Sequence, residues 1–456
     1  MAWSGIEPTT SRSRLRRANH SATLPPATWR HYLGTVAGFL CLCIILLLYL
    51  GRNETLSRPV LLLPAPRIPQ EDSLPEITQV VFAKVHKAAS STVQNILLRF
   101  AMRRNLSVLL PSKGAIISQS SFEIDPRKMS PHPEGKDKFD ILCSHVVYDA
   151  KEIAKYFPDN AIRVAILREP MQQALSALVY YATQSWDNKL QKVIKKYPKD
   201  PINGFLRNPK EFYKQSRKYG PMTSYINNRM SLDLGFDWHH LESSKDNMTE
   251  INLFLKQVED EFDLILISDY FDESMVLLRR YLHWQMKDII YLKSNTAKPR
   301  PDTSPYMQQP IITADVAKSF RRWDRIDYEL YDYFLPKFLQ AIESELNFKE
   351  EVDAFKKIQA SVLDFCFKKD DERNESLNIE KSEWTDRFTV SRTDCDLMKT
   401  KEIPLVKIAR RKQLTRYKKY IRKIGIKEKP FDNSSTKTKL HRNPKRIYHF
   451  KTRDKQ

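Results

Sequence analysis

The run His86-Lys87-Ala88-Ala89-Ser90-Ser91-Thr92 combines one firm cation, two small residues and three hydroxyls. It follows a β-rich stretch and precedes apolar residues at helical spacing, Val93, Ile96, Leu97, Phe100 and Ala101. Strand, polar loop and helix in that order leave unpaired N–H groups at the positive end of a helix dipole, which can hold an anion. Lys87 adds a mobile charge, Ser90, Ser91 and Thr92 add donors, and Ala88 and Ala89 let the backbone approach a phosphate. A solvated lysine beside a capping serine cluster explains the same residues. A second group is Arg168, where an apolar strand ends, with Ser176 eight residues on, about two helical turns later. An Arg fork plus a hydroxyl suits a second phosphate, although a lone Arg there is more often a salt-bridge partner.

The elements that must position these groups read as α/β. Strand candidates are Thr78–Lys84, Phe139–His145, Ala161–Leu167 and Phe262–Ser268, with helices after His86–Ser91, from Pro170 to about Tyr181, and from about Asp272 to His283. Strands alternating with helices imply a central parallel sheet covered on both faces. Arg168 then lies at the carboxyl edge, where ligands bind in open sheets. The ten glycines, about 2% against a usual 7%, form neither G-x-G-x-x-G nor G-x-x-x-x-G-K. That argues against a Rossmann oxidoreductase and an ordinary P-loop ATPase. The ten histidines and five cysteines hold no H-E-x-x-H and no C-x-x-C, so no metal site is expected.

The net charge of +21 is concentrated at the ends: +4 in residues 1–31, +16 in residues 401–456 and +1 between them. This distribution argues against a nucleic-acid-binding domain. Residues 32–51 carry no charge, enough helix to cross a hydrocarbon layer of about 30 Å. With Arg12, Arg14, Arg16, Arg17 and Arg30 before it, the segment reads as a type II signal anchor with the remainder luminal; a cleaved signal peptide is the alternative. Five prolines in residues 52–75 suggest an extended stem. Five N-x-[ST] sequons agree with a luminal destination, at Asn53, Asn105, Asn247, Asn374 and Asn433. Of the luminal cysteines, Cys366 and Cys395 are the favoured disulfide and Cys143 a buried thiol, with three reduced cysteines the alternative. The expected organisation is a cytosolic tail (1–31), an anchor (32–51), a stem (52–75), a catalytic domain (76–348) and a charged extension with a basic tail (349–456).

Taken together, the segments resemble the Golgi carbohydrate sulfotransferases, and among them the galactose 3-O-sulfotransferase family that includes galactosylceramide sulfotransferase. The resemblance runs over roughly residues 76–345. It is carried by Phe82-Ala-Lys-Val-His-Lys-Ala-Ala-Ser-Ser-Thr-Val-Gln-Asn-Ile-Leu97, Ser144-His-Val-Val-Tyr148, Leu167-Arg-Glu-Pro170 with Ser176, Asn228-Arg-Met230, Leu234-Gly-Phe-Asp237 and Ser268-Asp-Tyr-Phe-Asp-Glu273. One departure is Ala88, where the family's loop commonly has Thr, which removes a hydroxyl contact to the donor. The resemblance implies a P-loop-like sulfotransferase fold and, as donor, 3′-phosphoadenosine 5′-phosphosulfate (PAPS). Residues 86–92 would take the 5′-phosphosulfate; Arg168 and Ser176 would take the 3′-phosphate. Lys87 would stabilise the leaving oxygen, and His145, ending a strand at the active edge, is the expected base, with His86 the weaker candidate. The implied acceptor is a galactose 3-hydroxyl, expected on galactosylceramide, with glycoprotein galactose as the alternative; a homodimer is left open. The competing classes are a non-catalytic membrane-anchored binding protein and a luminal kinase-like enzyme. The latter needs a carboxylate set for Mg²⁺ that is not evident beside the loop.

Overall fold

The computed structural model describes residues 74–118, 121–183, 197, 200–209, 225–237, 239–292, 311–368 and 375–425. The expected tail, anchor and most of the stem lie outside the described residues, as do the sequons at Asn53, Asn374 and Asn433 and the chain after Gly425. Among the described residues no helix is long and apolar enough to cross a membrane.

Five strands form one parallel sheet: β1 (Val80–Ala83), β2 (Val108–Leu109), β3 (Ile141–Leu142), β4 (Ile162–Leu167) and β5 (Leu264–Ile267), in the order β2-β3-β1-β4-β5. Every residue of β1 and β5 is buried, as continuous Val-Val-Phe-Ala and Leu-Ile-Leu-Ile runs require when helices cover both faces. The four strands expected from the sequence are present, each shorter than its apolar run. The edge strand β2 is two residues long, too short to leave a pattern.

Helix α1 (Ser90–Arg104) leaves β1 through the 86–92 loop, and α2 (Pro170–Thr183) leaves β4 just after Arg168. β1 has β3 on one side and β4 on the other, so the chain crosses to opposite sides of it. The carboxyl ends of β1 and β4 therefore flank the switch point where open sheets bind ligands. A short buried helix, α3 (Arg229–Asp233), and the longer α4 (Phe271–Leu282) and α5 (Arg325–Ser344) pack around this edge.

Packing continues through residue 348, where the sequence suggested a boundary. Helix α6 (Phe348–Phe367) is followed by an antiparallel pair, β6 (Ser376–Ile379) with β7 (Phe388–Ser391), then α7 (Arg392–Lys399) and α8 (Glu402–Lys423). Val352, Phe355, Cys366, Val390, Cys395, Leu405 and Val406 belong to the same buried cluster as β1 and β4. The Cys366–Cys395 disulfide forms as expected, joining α6 to α7, and Cys143 is the buried thiol. Helix α8 crosses α1 and reaches the sheet edge. There Gln413 accepts from Val108 N and donates to Val108 O, both at 3.0 Å, so the edge strand is covered rather than left as a template for pairing.

Candidate active site

The loop leaving β1 holds two non-glycine residues in the left-handed region, Lys87 at φ 60° and Ala89 at φ 59°. Each costs about 1–2 kcal/mol of backbone strain, and such strain gathers where a loop must present its amides to a ligand. The loop reaches with Lys87 and Ala89 the backbone shape that phosphate loops usually obtain from glycine. No side chain caps the first turn of α1, so its dipole and leading amides face the switch point. The Ser90 hydroxyl turns inward to Val85 O, closing the loop on itself. Ala88 is fully buried in the core, so that side-chain position faces away from the mouth.

Lys87 and Arg168 meet at this edge. Arg168 Nη1 donates to Lys87 O at 3.1 Å, and Lys87 Nζ sits 4.0 Å from the centre of the Tyr180 ring on α2. Burial first, then the Arg168 and Lys84 charges, push the Lys87 ammonium down to about 8. A crowd of cations with a depressed lysine is a site short of an anion. Ser176 lies half-buried on α2, one turn before Tyr180 and so on its face of the helix. Gln173 on the same helix, fully buried, donates to His86 O at 3.1 Å and Tyr225 O at 3.2 Å, fastening α2 to the loop.

Behind the mouth lies a buried polar chain. His86 and His145 stack with ring centres 3.9 Å apart. His145 Nδ1 donates to Lys84 O at 2.9 Å and its Nε2 accepts from Lys84 Nζ at 2.8 Å, which engages both ring nitrogens. His86 is held differently: Asp233 Oδ2 accepts from both its backbone N and its Nδ1 at 2.7 Å. Arg229 Nε also stands 3.2 Å from that Nδ1. A nitrogen that gives its proton to Asp233 cannot accept another, so the shorter carboxylate contact is the hydrogen bond and the Arg229 contact is mere proximity. This tautomer leaves the His86 Nε2 lone pair unprotonated. Burial pushes the His86 ring down to about 4 against the upward pull of Asp233, and burial likewise puts His145 well below the ordinary imidazole value.

Asp233 is itself paired with Arg229 at 2.6 Å, one turn away on α3, with both side chains buried. The opposite end of α3 rests on α5 and the residue before it. Asp324 accepts from Asn228 N, and Asp327 accepts from Met230 N at 3.0 Å and Ser231 N at 2.7 Å, placing carboxylates at a helix N-terminus. The next turn needs Gly235, at φ 98°, because a Cβ there would lie 2.7 Å from Tyr148 O. The 144–148 segment thus lies directly against α3, with Tyr148 N bonded to Asp233 O at 3.0 Å.

His86, Lys87, His145 and Arg168 are brought to one edge, as their positions in the sequence suggested. Lys84, Gln173, Arg229, Asp233 and Glu402 were not singled out from the sequence. The Arg229/Asp233 spacing of four, at the start of a short apolar helix, was the available signal. Glu402 had none, since an acid in the first turn of a basic helix reads as a dipole partner. Among the described residues no group of His, Cys, Asp and Glu is placed to hold a metal ion.

A parallel sheet whose switch point carries a strained lysine loop, an uncapped helix start and a second cation defines an anion-handling α/β protein. The model of the galactose-3-O-sulfotransferase family matches residues 29–408, and the chain belongs to that family. It is 33% identical over 301 residues to galactose-3-O-sulfotransferase 3 of Homo sapiens, covering 65% of each chain. To galactose-3-O-sulfotransferase 2 of Sus scrofa it is 32% identical over 307 residues, 66% of this chain and 72% of that one. To galactosylceramide sulfotransferase of Homo sapiens it is 29% identical over 268 residues, 58% of each. The match thus spans just under two thirds of the human type 3 relative.

Proposed function

We propose that the protein is a carbohydrate sulfotransferase that moves a sulfuryl group from PAPS to the 3-hydroxyl of a galactose. The observation that carries this reading is the meeting of Arg168 Nη1 and Lys87 O at the uncapped start of α1. It gathers two cations and a helix dipole where the two phosphate ends of the donor would lie. In the reaction the galactose oxygen forms a new S–O bond as the bond from sulfur to the phosphate oxygen breaks, in line. Lys87 balances the charge that develops on the departing phosphate oxygen. Arg168, with Ser176, takes the 3′-phosphate.

For the base, the hydrogen bonds support His86 over the His145 expected from the sequence. Asp233 fixes the His86 proton on Nδ1, leaving Nε2 to take the hydroxyl proton, whereas the corresponding lone pair of His145 is held by Lys84. His145 then orients Lys84 and supports the His86 ring by stacking.

The acceptor reading is a galactose-terminated glycolipid, galactosylceramide, with the enzyme held in the Golgi membrane by residues 32–51 in type II orientation. The charge pattern of residues 1–51 supports that topology. A galactose acceptor without ceramide is the second reading, favoured by the greater identity and coverage shared with relatives whose names carry no ceramide. Transfer of labelled sulfate from PAPS to galactosylceramide, a lactosyl lipid and a galactose-terminated glycoprotein glycan tests the reaction and its acceptor. Transfer to one class names the acceptor. PAPS binding with no transfer to any galactoside would favour the non-catalytic binding protein.

A further inference from the structure

The C-terminal helix reaches the donor loop through one side chain. Glu402, the first residue of α8, accepts from Lys84 Nζ through Oε1 at 3.1 Å and from Ser91 Oγ through Oε2 at 3.0 Å. Ser91 stands in the first turn of α1, and Lys84 Nζ lies 3.4 Å from the same Ser91 oxygen. Both partners of Glu402 are therefore groups that an anion at the start of α1 would meet. The approach of α8 is held from below. Asn95, one turn along α1 from Ser91, donates to Leu397 O at 3.0 Å, and α7 is tied to α6 by the disulfide.

We propose that Glu402 is a positioning residue of the donor site, the counter-ion that keeps Lys84 charged and holds the Ser91 hydroxyl at the loop mouth. The inference rests on the donor reading above. Lys84 is 1% exposed, and an ammonium so buried without a carboxylate sheds its proton. The other groups around it do not replace Glu402. His145 offers a neutral lone pair, and the Cys143 thiol is pushed up to about 12 by burial. Asp233 is already bound to Arg229 and His86, and Lys87 and Arg229 repel. Burial lowers the Lys84 ammonium even with Glu402 as the largest opposing influence. A neutral Lys84 would offer no charge to a donor carrying several negative charges. Glu402 is 24% exposed, so water screens its own repulsion of that donor more than it screens the pair with Lys84.

The test is binding of adenosine 3′,5′-bisphosphate to the full chain by calorimetry across neutral to alkaline pH. Wild type is compared with Glu402→Gln, which keeps the shape, and Glu402→Asp, which keeps the charge. Glu402→Gln is expected to bind about tenfold more weakly on the alkaline side, one pKa unit of coupling. The gap should close as pH falls and Lys84 regains its proton. Glu402→Asp should restore the wild-type pH response, and acceptor KM should not change in either variant. Unchanged affinity, a loss independent of pH, or tighter binding by Glu402→Gln would each overturn the proposal; tighter binding would mean that Glu402 repels the donor. If wild type itself does not bind the bisphosphate, the donor-site reading fails. If wild type binds and the variants match it at every pH, only the role of Glu402 fails.

Discussion

The mouth and the interior of this site are built on opposite terms. At the mouth, Lys87 and Arg168 are part-exposed cations, and the Arg168 guanidinium is tied to a backbone carbonyl. A few Å deeper, Arg229, Asp233, His86, His145 and Lys84 are at most 9% exposed and linked by hydrogen bonds and a ring stack. A cation at the mouth rests on a carbonyl or a ring with carboxylates farther off, and an arriving anion adds its closest charge partner, so its worth is binding and rate. A group in the interior already has its partner, so its loss leaves another charge buried and unpaired. Substitutions in the two regions should therefore fail in different measurements.

The largest effects are expected in turnover, where both regions lose rate and donor affinity tells them apart. His86→Ala should lower kcat by roughly 10²–10⁴, the usual range for a positioned base, and Lys87→Ala by about 10²–10³ for every acceptor. Bisphosphate affinity should stay near normal in His86→Ala and fall in Lys87→Ala. A His86→Ala enzyme with near-normal kcat would return the base to His145. Next in size is stability. Asp233→Ala leaves buried Arg229 without its carboxylate and should cost about 3–5 kcal/mol in urea unfolding, whereas Arg168→Ala should leave the unfolding midpoint almost unmoved. Equal losses in the two would erase the distinction between mouth and interior.

A pH titration of unfolding sharpens the same contrast without mutation. The His86 ring is held at about 4, below its ordinary value of 6.5, by burial against the pull of Asp233, with Arg229, Lys84 and the stacked His145 also facing it. The unfolded chain therefore binds the proton first. Stability is fully present above about pH 6.5 and is lost as pH falls toward 4, by about 3 kcal/mol from this ring alone. His86→Gln should flatten that slope; a slope unchanged in the variant would show that other groups set it. The smallest expected effect is at the mouth. Arg168→Ala should weaken the 3′,5′-bisphosphate by about 1.5–3 kcal/mol, the worth of a charged hydrogen bond. An analogue lacking the 3′-phosphate should be affected much less; equal losses would place the 3′-phosphate elsewhere.

What the sequence revealed follows the same division. The mouth was legible because local patterns build it: an apolar run ending in a loop announces Lys87, and another ending in Arg-Glu-Pro announces Arg168. The core strands were legible for the same reason. The interior network was not, because apart from Arg229–Asp233, four apart on α3, its pairs close across the fold. His86 meets Asp233 across 147 residues, and Asp327 meets Ser231 across 96. No window of sequence contains both members. The contact that weighs against His145 as the base was hidden for a related reason: its place at a strand end was visible, but the lysine on its Nε2 was not. The part of the chain after Phe348 is harder to read because its strands are short, its helices are charged, and its apolar faces are matched by elements distant in sequence, α1, β2 and α4 among them.

The 318 residues between Lys84 and Glu402 also have a meaning in time. A ribosome adding about 5–20 residues per second needs roughly 15–60 s to travel from one to the other. For most of that interval β1 and the start of α1 are outside the ribosome while the carboxylate meant for Lys84 does not yet exist. Until then Lys84 stays wet or is buried as a neutral amine, so closure of the switch point around a charged Lys84 waits for the last described helix. A chain that stops before residue 402 carries every residue of the loop and still has an unfinished interior. For this fold α8 is the closing piece: the carboxylate beside Lys84 and Ser91 arrives only with residue 402.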